Sequence, residues 1–238
     1  PMLKSERSRS DKAYRPLRTI KVFMVRPEKL IAYPGFSGYT NSYRGGDIMI
    51  NRPDYIEAIE PFIDKPLVKI LAGVRRCGKS TIFEMLKEEF LRRGISEDHI
   101  ISKRYTEMDI PENITAKQMY DELLEAMKGK GHCYLLLDEI QEIDGWEKAV
   151  NSLLESGRAD IYVTGSNSKL MSSEISTYLT GRYVQISVFT LSFREYLDFK
   201  AGSNLSQNDL LDEYIRFGGF PIIALSDFDE QSAYQIVN

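Results

Sequence analysis

Gly73-Val74-Arg75-Arg76-Cys77-Gly78-Lys79-Ser80 sets two glycines with four residues between them, the second directly before a lysine and a hydroxyl side chain. Glycines at those places let successive backbone N–H groups converge on an anion, and a helix starting there adds the positive end of its dipole. The lysine then reaches terminal phosphates, and the serine hydroxyl can ligate Mg²⁺. The spacing fits a phosphate-binding loop without a mismatch, so residues 73–80 together with Thr81 form the expected nucleotide-binding set. Arg75 and Arg76 inside the loop are open between contacting phosphate and pairing with acidic residues of the domain.

A second constellation lies at Tyr134-Leu135-Leu136-Leu137-Asp138-Glu139, an apolar run that ends in two carboxylates. Read with the phosphate loop, Asp138 would hold Mg²⁺, usually through water, and Glu139 would polarise the water that attacks the terminal phosphate. A glutamate beside the metal-holding aspartate points to hydrolysis rather than nucleotide holding. No Asn-Lys-x-Asp guanine-reading motif follows, which favours ATP over GTP. Two weaker signals complete the set. In Thr164-Gly165-Ser166-Asn167 a polar side chain, Ser166 first and Asn167 second, could contact the γ-phosphate or the water; a simple turn with a helix cap is the competing reading. Arg182, just ahead of a strand, could reach nucleotide on a neighbouring subunit and stabilise the charge of phosphoryl transfer, though a surface arginine is equally consistent with its position. A homo-oligomer follows only if Arg182 acts in that way.

These residues need a scaffold that alternates strand and helix. Leu67 to Ala72 reads as a strand before the loop. Ile82, Phe83, Leu86 and Phe90 share one helical face, and Gly94 stops that helix. Ile100 to Tyr105 reads as the next strand, and Thr115 with Gln118 has capping-box spacing before Met119, Leu123 and Met127. Cys133 to Leu137 reads as a strand covered on both faces, followed by a helix with Asp144 as cap and Trp146, Val150, Leu153 and Leu154 inward. Asp160 to Thr164 and Tyr183 to Val188 supply two more strands. Ser192 to Glu195 and Ser206 to Asp209 open further helices, the second running to Phe217 before Gly218-Gly219. Five short strands separated by helices imply an α/β fold, a parallel sheet with helices on both faces and C-terminal helices at one edge. Ligands in such sheets bind beyond the carboxyl ends of the strands.

The bulk numbers exclude several classes. Of 238 residues, 42% are hydrophobic and 28% charged, ordinary for a globular chain. No run approaches the ~18 uncharged apolar residues of a membrane span, and the N-terminus is too polar for a signal peptide, so a cytoplasmic protein without a membrane partner is expected. Cys77 and Cys133 are the two cysteines, too few for a disulfide framework, and His99 and His132 add no metal cluster. Residues 1–47 carry ten Lys or Arg against four Asp or Glu. Such a basic arm can bind nucleic acid, which would give a steeply salt-dependent affinity lost on removing it. The same residues lack any sustained strand or helix period. Arg44-Gly45-Gly46 can be encoded by a purine-rich ribosome-binding sequence ahead of Met49, so residues 1–48 are expected to be an irregular basic leader, translated upstream of a natural start at Met49.

The combination of Ile50–Tyr55 (INRPDY), the phosphate loop, Asp138–Trp146 (DEIQEIDGW), Val163–Ser168 (VTGSNS), Leu179–Tyr183 (LTGRY), Leu191–Leu197 (LSFREYL) and Tyr214–Pro221 (YIRFGGFP) resembles the prokaryotic AAA-like ATPases of the AAA_14 type. The resemblance implies a P-loop NTPase sheet of order 5-1-4-3-2, ATP with Mg²⁺, the roles given above to Lys79, Ser80, Asp138 and Glu139, and a nucleotide-sensing Arg182. It implies an AAA-like ATP-binding domain over residues 49–190 and, over 191–238, a C-terminal helical segment that begins a second part, the DUF4143 domain usual in such proteins. Thr190 stands where those proteins commonly have proline. The expected activity is ATP hydrolysis coupled to conformational change. The competing expectation is a nucleotide-gated module that recruits a protein or DNA with little turnover.

Overall fold

The apolar runs at the centre of the sheet became strands buried on both faces, and the amphipathic stretches between strands became the covering helices. The computed structural model describes residues 52–237 apart from 108–109, 112, 167–169, 171–177 and 227–229, with the backbone also described at 22–23, 42–44 and 47–49. The strands are β1 (Val22–Phe23), β2 (Ser42–Arg44), β3 (Asp47–Met49), β4 (Val68–Gly73), β5 (Ile100–Arg104), β6 (Cys133–Asp138), β7 (Ala159–Ser166) and β8 (Tyr183–Val188). The helices are α1 (Pro53–Ile59), α2 (Lys79–Arg92), α3 (Ala116–Ala126), α4 (Trp146–Glu155), α5 (Phe193–Phe199), α6 (Gln207–Phe217), α7 (Pro221–Leu225) and α8 (Glu230–Val237).

The main sheet runs β1-β8-β4-β7-β6-β5, with every pairing parallel. Its five long strands therefore stand in the order 5-1-4-3-2 counted from the phosphate-loop strand, and the fold is that of a P-loop NTPase. Three short strands are described within residues 1–49. The two-residue β1 lies parallel on the outside of β8, and β2 and β3 form a separate antiparallel hairpin.

Side-chain alternation divides the core. Val68, Ile70, Leu135, Leu137, Ile161 and Val163 face α3 and α4 through Met119, Leu123, Trp146, Val150 and Leu153. Leu71, Leu136, Tyr162 and Ile186 face α1 and α2 through Tyr55, Ile59, Ile82, Phe83, Leu86 and Phe90. Strand β8 alternates half-buried and buried residues, as the outermost of the long strands should.

Helix boundaries follow local chemistry. Thr115 and Gln118 close a reciprocal capping box ahead of α3, and Ser192 with Glu195 does the same ahead of α5, as their spacing predicts. Asp144 is not the cap of α4: Gly145, at φ 73°, holds that position without a side-chain bond. The chain leaves a 3₁₀ turn over Ile140–Glu142 and must turn sharply into α4, a left-handed step that glycine takes without steric cost. Beyond α6, α7 and α8 pack against its end, burying Phe217, Ile223 and Ala233 together. Among the described residues no helix is long and apolar enough to cross a membrane.

Candidate functional site

The carboxyl ends of the interior strands β4, β7 and β6 lie together at one end of the sheet. In register Gly73 lies beside Ser166, and Leu137 beside Val163, so Asp138 and Thr164 end side by side. Gly73 ends β4 in a close approach: a Cβ there would lie 2.3 Å from the Val188 carbonyl oxygen and 2.8 Å from Cys77 Sγ. The loop then turns with Cys77 N–H donating to the Val74 carbonyl (3.4 Å), and Gly78 at φ 99° hands the chain to α2 at Lys79. Val74, Arg75 and Arg76 are exposed, whereas Cys77 and Lys79 are buried.

Lys79 Nζ donates to the carbonyl oxygens of Gly73 (3.2 Å) and Val74 (3.1 Å) and stands 3.8 Å from Glu139 Oε1. Ser80 Oγ donates to Asp138 Oδ2 at 2.7 Å, which joins the loop to β6. Arg104 Nε, from the neighbouring strand β5, reaches the same oxygen at 3.0 Å. The other oxygen of Asp138 accepts from Thr164 Oγ1, and that hydroxyl oxygen in turn accepts the Glu139 backbone N–H at 3.0 Å. A cavity of about 90 Å³ opens beside this group, lined by Ser80, Asp138, Ser102, Glu84 and Glu107 among others.

Three non-glycine residues among those described have positive φ: Asp64, Arg76 and Glu139. Two of them belong to this site. Such conformations cost on the order of 1–3 kcal/mol and persist where surrounding contacts over-determine them. Glu139, at φ 53°, has its N–H fixed by Thr164, so strand and threonine together aim its carboxylate across the loop.

Lys79, Ser80, Asp138 and Glu139 are thus brought together. Ser166 ends β7 beside Gly73, while Asn167 lies outside the described residues. Thr164, rather than Ser166, is the β7 side chain bonded to Asp138. Alternation alone puts Thr164 and Ser166 on one face, and only the β6–β7 register decides which is level with the carboxylates. Thr164→Val keeps the shape and removes the hydroxyl. It leaves a buried carboxylate oxygen and a backbone N–H unmatched, and a loss of about 1–3 kcal/mol in a denaturant titration is expected.

Arg182 is not at this end of the chain's own sheet. Its carbonyl accepts Val68 N–H at the start of β4 (2.9 Å), roughly 16 Å from Gly73 at about 3.3 Å per strand residue. Its guanidinium pairs with Glu155 (2.6 Å) and Asn151 (2.9 Å) of α4.

Arg52, which the spacing of functional residue types does not single out, links the loop to the C-terminal helices. Its guanidinium is 3% exposed. It donates to the carbonyls of Cys77 (3.0 Å) and Phe189 (3.0 Å) and to Glu195 at 2.6 Å. Burial raises the Glu195 carboxyl, but the hydrogen bond and charge of Arg52 outweigh it and hold the group below its ordinary value. Leu191, next along the chain, donates to the Gly219 carbonyl (2.6 Å), and its own carbonyl accepts Tyr214 O–H (2.8 Å), so the contacts continue into α6 and α7.

Against known proteins, a family profile described as "AAA domain" (AAA_14) matches residues 65–197. An uncharacterised protein of Haemophilus influenzae is 35% identical over 184 residues, 75% of this chain and 46% of its own length. Another, from Methanocaldococcus jannaschii, is 35% identical over 184 residues, 71% of this chain and 39% of its own. The chain therefore spans under half the length of these two curated relatives. Among solved structures, a yeast Hsp104:casein complex aligns with a TM-score of 0.52 at 15% identity, over 79% of this chain and 38% of that one. Cdc6p from Pyrobaculum aerophilum aligns with a TM-score of 0.51 at 13% identity, over 84% and 64%. At such identities these two likenesses speak to the fold.

Proposed function

Since the chain belongs to the AAA_14 family of AAA domains, we propose that it binds ATP with Mg²⁺ and hydrolyses it to ADP and phosphate, with the C-terminal helices responding to the nucleotide. The observation that carries this reading is the Ser80–Asp138 bond of 2.7 Å with Glu139 at its flank. The loop hydroxyl and a buried carboxylate meet where the terminal phosphates would lie.

The donor set suits Mg²⁺, a hard cation that prefers oxygen ligands and commonly takes one or two carboxylates plus substrate phosphates. Ser80 Oγ and Asp138 would hold it, with Arg104 giving up Asp138 Oδ2, and the cavity beside them, which Glu84, Ser102 and Glu107 line together with Arg104 and Phe83, leaves room for its water. When bound, the ion would neutralise charge on the β- and γ-phosphates. Lys79 would exchange the Gly73 and Val74 carbonyls for phosphate oxygens, and the loop N–H groups would take the rest. Glu139 would draw a proton from the water whose oxygen attacks the γ-phosphorus as the bond to ADP breaks. Arg75 and Arg76, exposed on the loop, are available to phosphate. Coupling follows the Cys77–Arg52–Glu195 contacts and the approach of Pro221 to Gly78, where a Cβ on the glycine would lie 3.9 Å from the proline ring.

The nucleotide-gated module with little turnover is favoured by one observation: Arg182 faces Glu155 at the far end of its own sheet. Turnover helped by Arg182 then requires a second copy, and a homo-oligomer is part of the proposal. Mg²⁺-dependent phosphate release measured across protein concentrations separates the readings. Release per molecule is expected to rise with concentration in the wild type and to lose that rise in Arg182→Ala, by up to about 10³-fold if the arginine acts as a finger. Tight ATP binding with no release at any concentration would leave the gated module.

A further inference from the structure

Gln141 is the side chain against Glu139 that the reading above leaves without a task. Its Nε2 donates to Glu139 Oε2 and lies 3.3 Å from Glu142 Oε1. Ionised carboxylates only accept, so the amide nitrogen must face them, and the amide oxygen must turn the other way. That oxygen is buried and has no hydrogen-bond partner among the described residues. It rests on Gly165, where an added Cβ would lie 2.1 Å from it. Gly165 has no positive φ, so its lack of a side chain matters here for space: the Gln141 amide, with Leu170 Cγ 2.7 Å from the same point, occupies the place a Cβ would take.

The two oxygens of Glu139 are therefore in different hands. Oε2 is held by Gln141, and Oε1 is turned toward Lys79 Nζ at 3.8 Å. A glutamate side chain can rotate its carboxylate freely in water, and a general base works only when one oxygen is kept within reach of the proton it takes. We propose that Gln141 is a positioning residue for Glu139, its amide holding one carboxylate oxygen so that the other faces the phosphate loop. This inference rests on the reading of Glu139 as the base.

Steady-state ATP hydrolysis with Mg²⁺ by Glu139→Gln, Gln141→Ala, Gly165→Ala and Gln141→Glu tests it. Gln141→Ala is expected to lower kcat by about 10- to 100-fold, the scale of a small misplacement of a catalytic group, with KM for ATP unchanged. Gly165→Ala, which pushes the amide off its seat, is expected to do the same. Gln141→Glu replaces the donating amide by a carboxylate that only accepts and that repels Glu139, so it is expected to lose kcat as Gln141→Ala does, again with KM for ATP unchanged. Collapse in Glu139→Gln with full kcat in Gln141→Ala overturns the positioning role alone. Full kcat in Glu139→Gln overturns the base and, with it, the residue said to position it.

Discussion

Glu139→Gln is expected to lower kcat for ATP hydrolysis by about 10²- to 10⁴-fold, the contribution of a positioned proton acceptor, while leaving ATP bound. The substitution keeps the shape of the side chain, and the backbone at residue 139 remains tied to Thr164. What it removes is the capacity to take a proton and the negative charge 3.8 Å from Lys79 Nζ. Losing that charge frees Lys79 for phosphate, so affinity for Mg²⁺–ATP should hold or tighten. Lys79→Ala removes a ligand of the phosphates themselves and should lose binding and turnover together. Equilibrium titration with a fluorescent ATP analogue beside single-turnover hydrolysis separates the two variants. A Glu139→Gln protein that hydrolyses ATP as fast as the wild type would remove Glu139 as the base.

The ease with which this site can be read from the chain depends on how local its determinants are. Lys79, Ser80, Asp138 and Glu139 come from two short motifs, each on a strand end whose apolar run announces it. The capping boxes at Thr115 and Ser192 close over three residues and were equally legible. Legibility fails where a role is set across the sheet. Thr164 and Ser166 differ only by the register of β6 against β7, which no spacing within either strand encodes. Arg52 meets Glu195 from 143 positions away, and its guanidinium also donates to the loop carbonyl of Cys77. The Asp144 cap fails for a different reason. Asp favours that position in general, but the geometry of a 3₁₀ turn feeding α4 demanded a left-handed residue, and Gly145 was next in line. The short apolar segments of α7 and α8 carry too few turns for a period to show before they pack on Phe217.

A charged residue inside an apolar strand is where sequence pattern and energetics part company, and Lys69 shows the consequence. It sits in the middle of Val68-Lys69-Ile70-Leu71-Ala72, fully buried, and pairs with Asp160 on the next strand. Asp160 also accepts Tyr162 O–H at 2.6 Å and the Asp64 N–H at 2.9 Å, and Lys69 Nζ donates to the Lys65 carbonyl at 2.9 Å. The group ties β4 and β7 to the turn that precedes β4. Burial pulls the Lys69 ammonium below its ordinary value, and the Asp160 charge opposes that pull. Asp160→Asn keeps the shape but withdraws the opposing charge and puts an amide N–H₂ where donors point. The ammonium is left buried without its anion, a change that costs about 3–5 kcal/mol. The pH dependence of that cost carries the sign. With the Lys69 value lower still in the folded variant, the folded state sheds its proton while the unfolded chain, at about 10.4, retains it. Stability then rises with pH, so the deficit should be full below the folded variant's lowered Lys69 value and shrink as pH climbs from there toward the ordinary lysine value. Urea titrations of wild type and Asp160→Asn at several pH values measure it. A small deficit, constant with pH, would mean that hydrogen bonding rather than the buried charge pair holds β4 to β7 here.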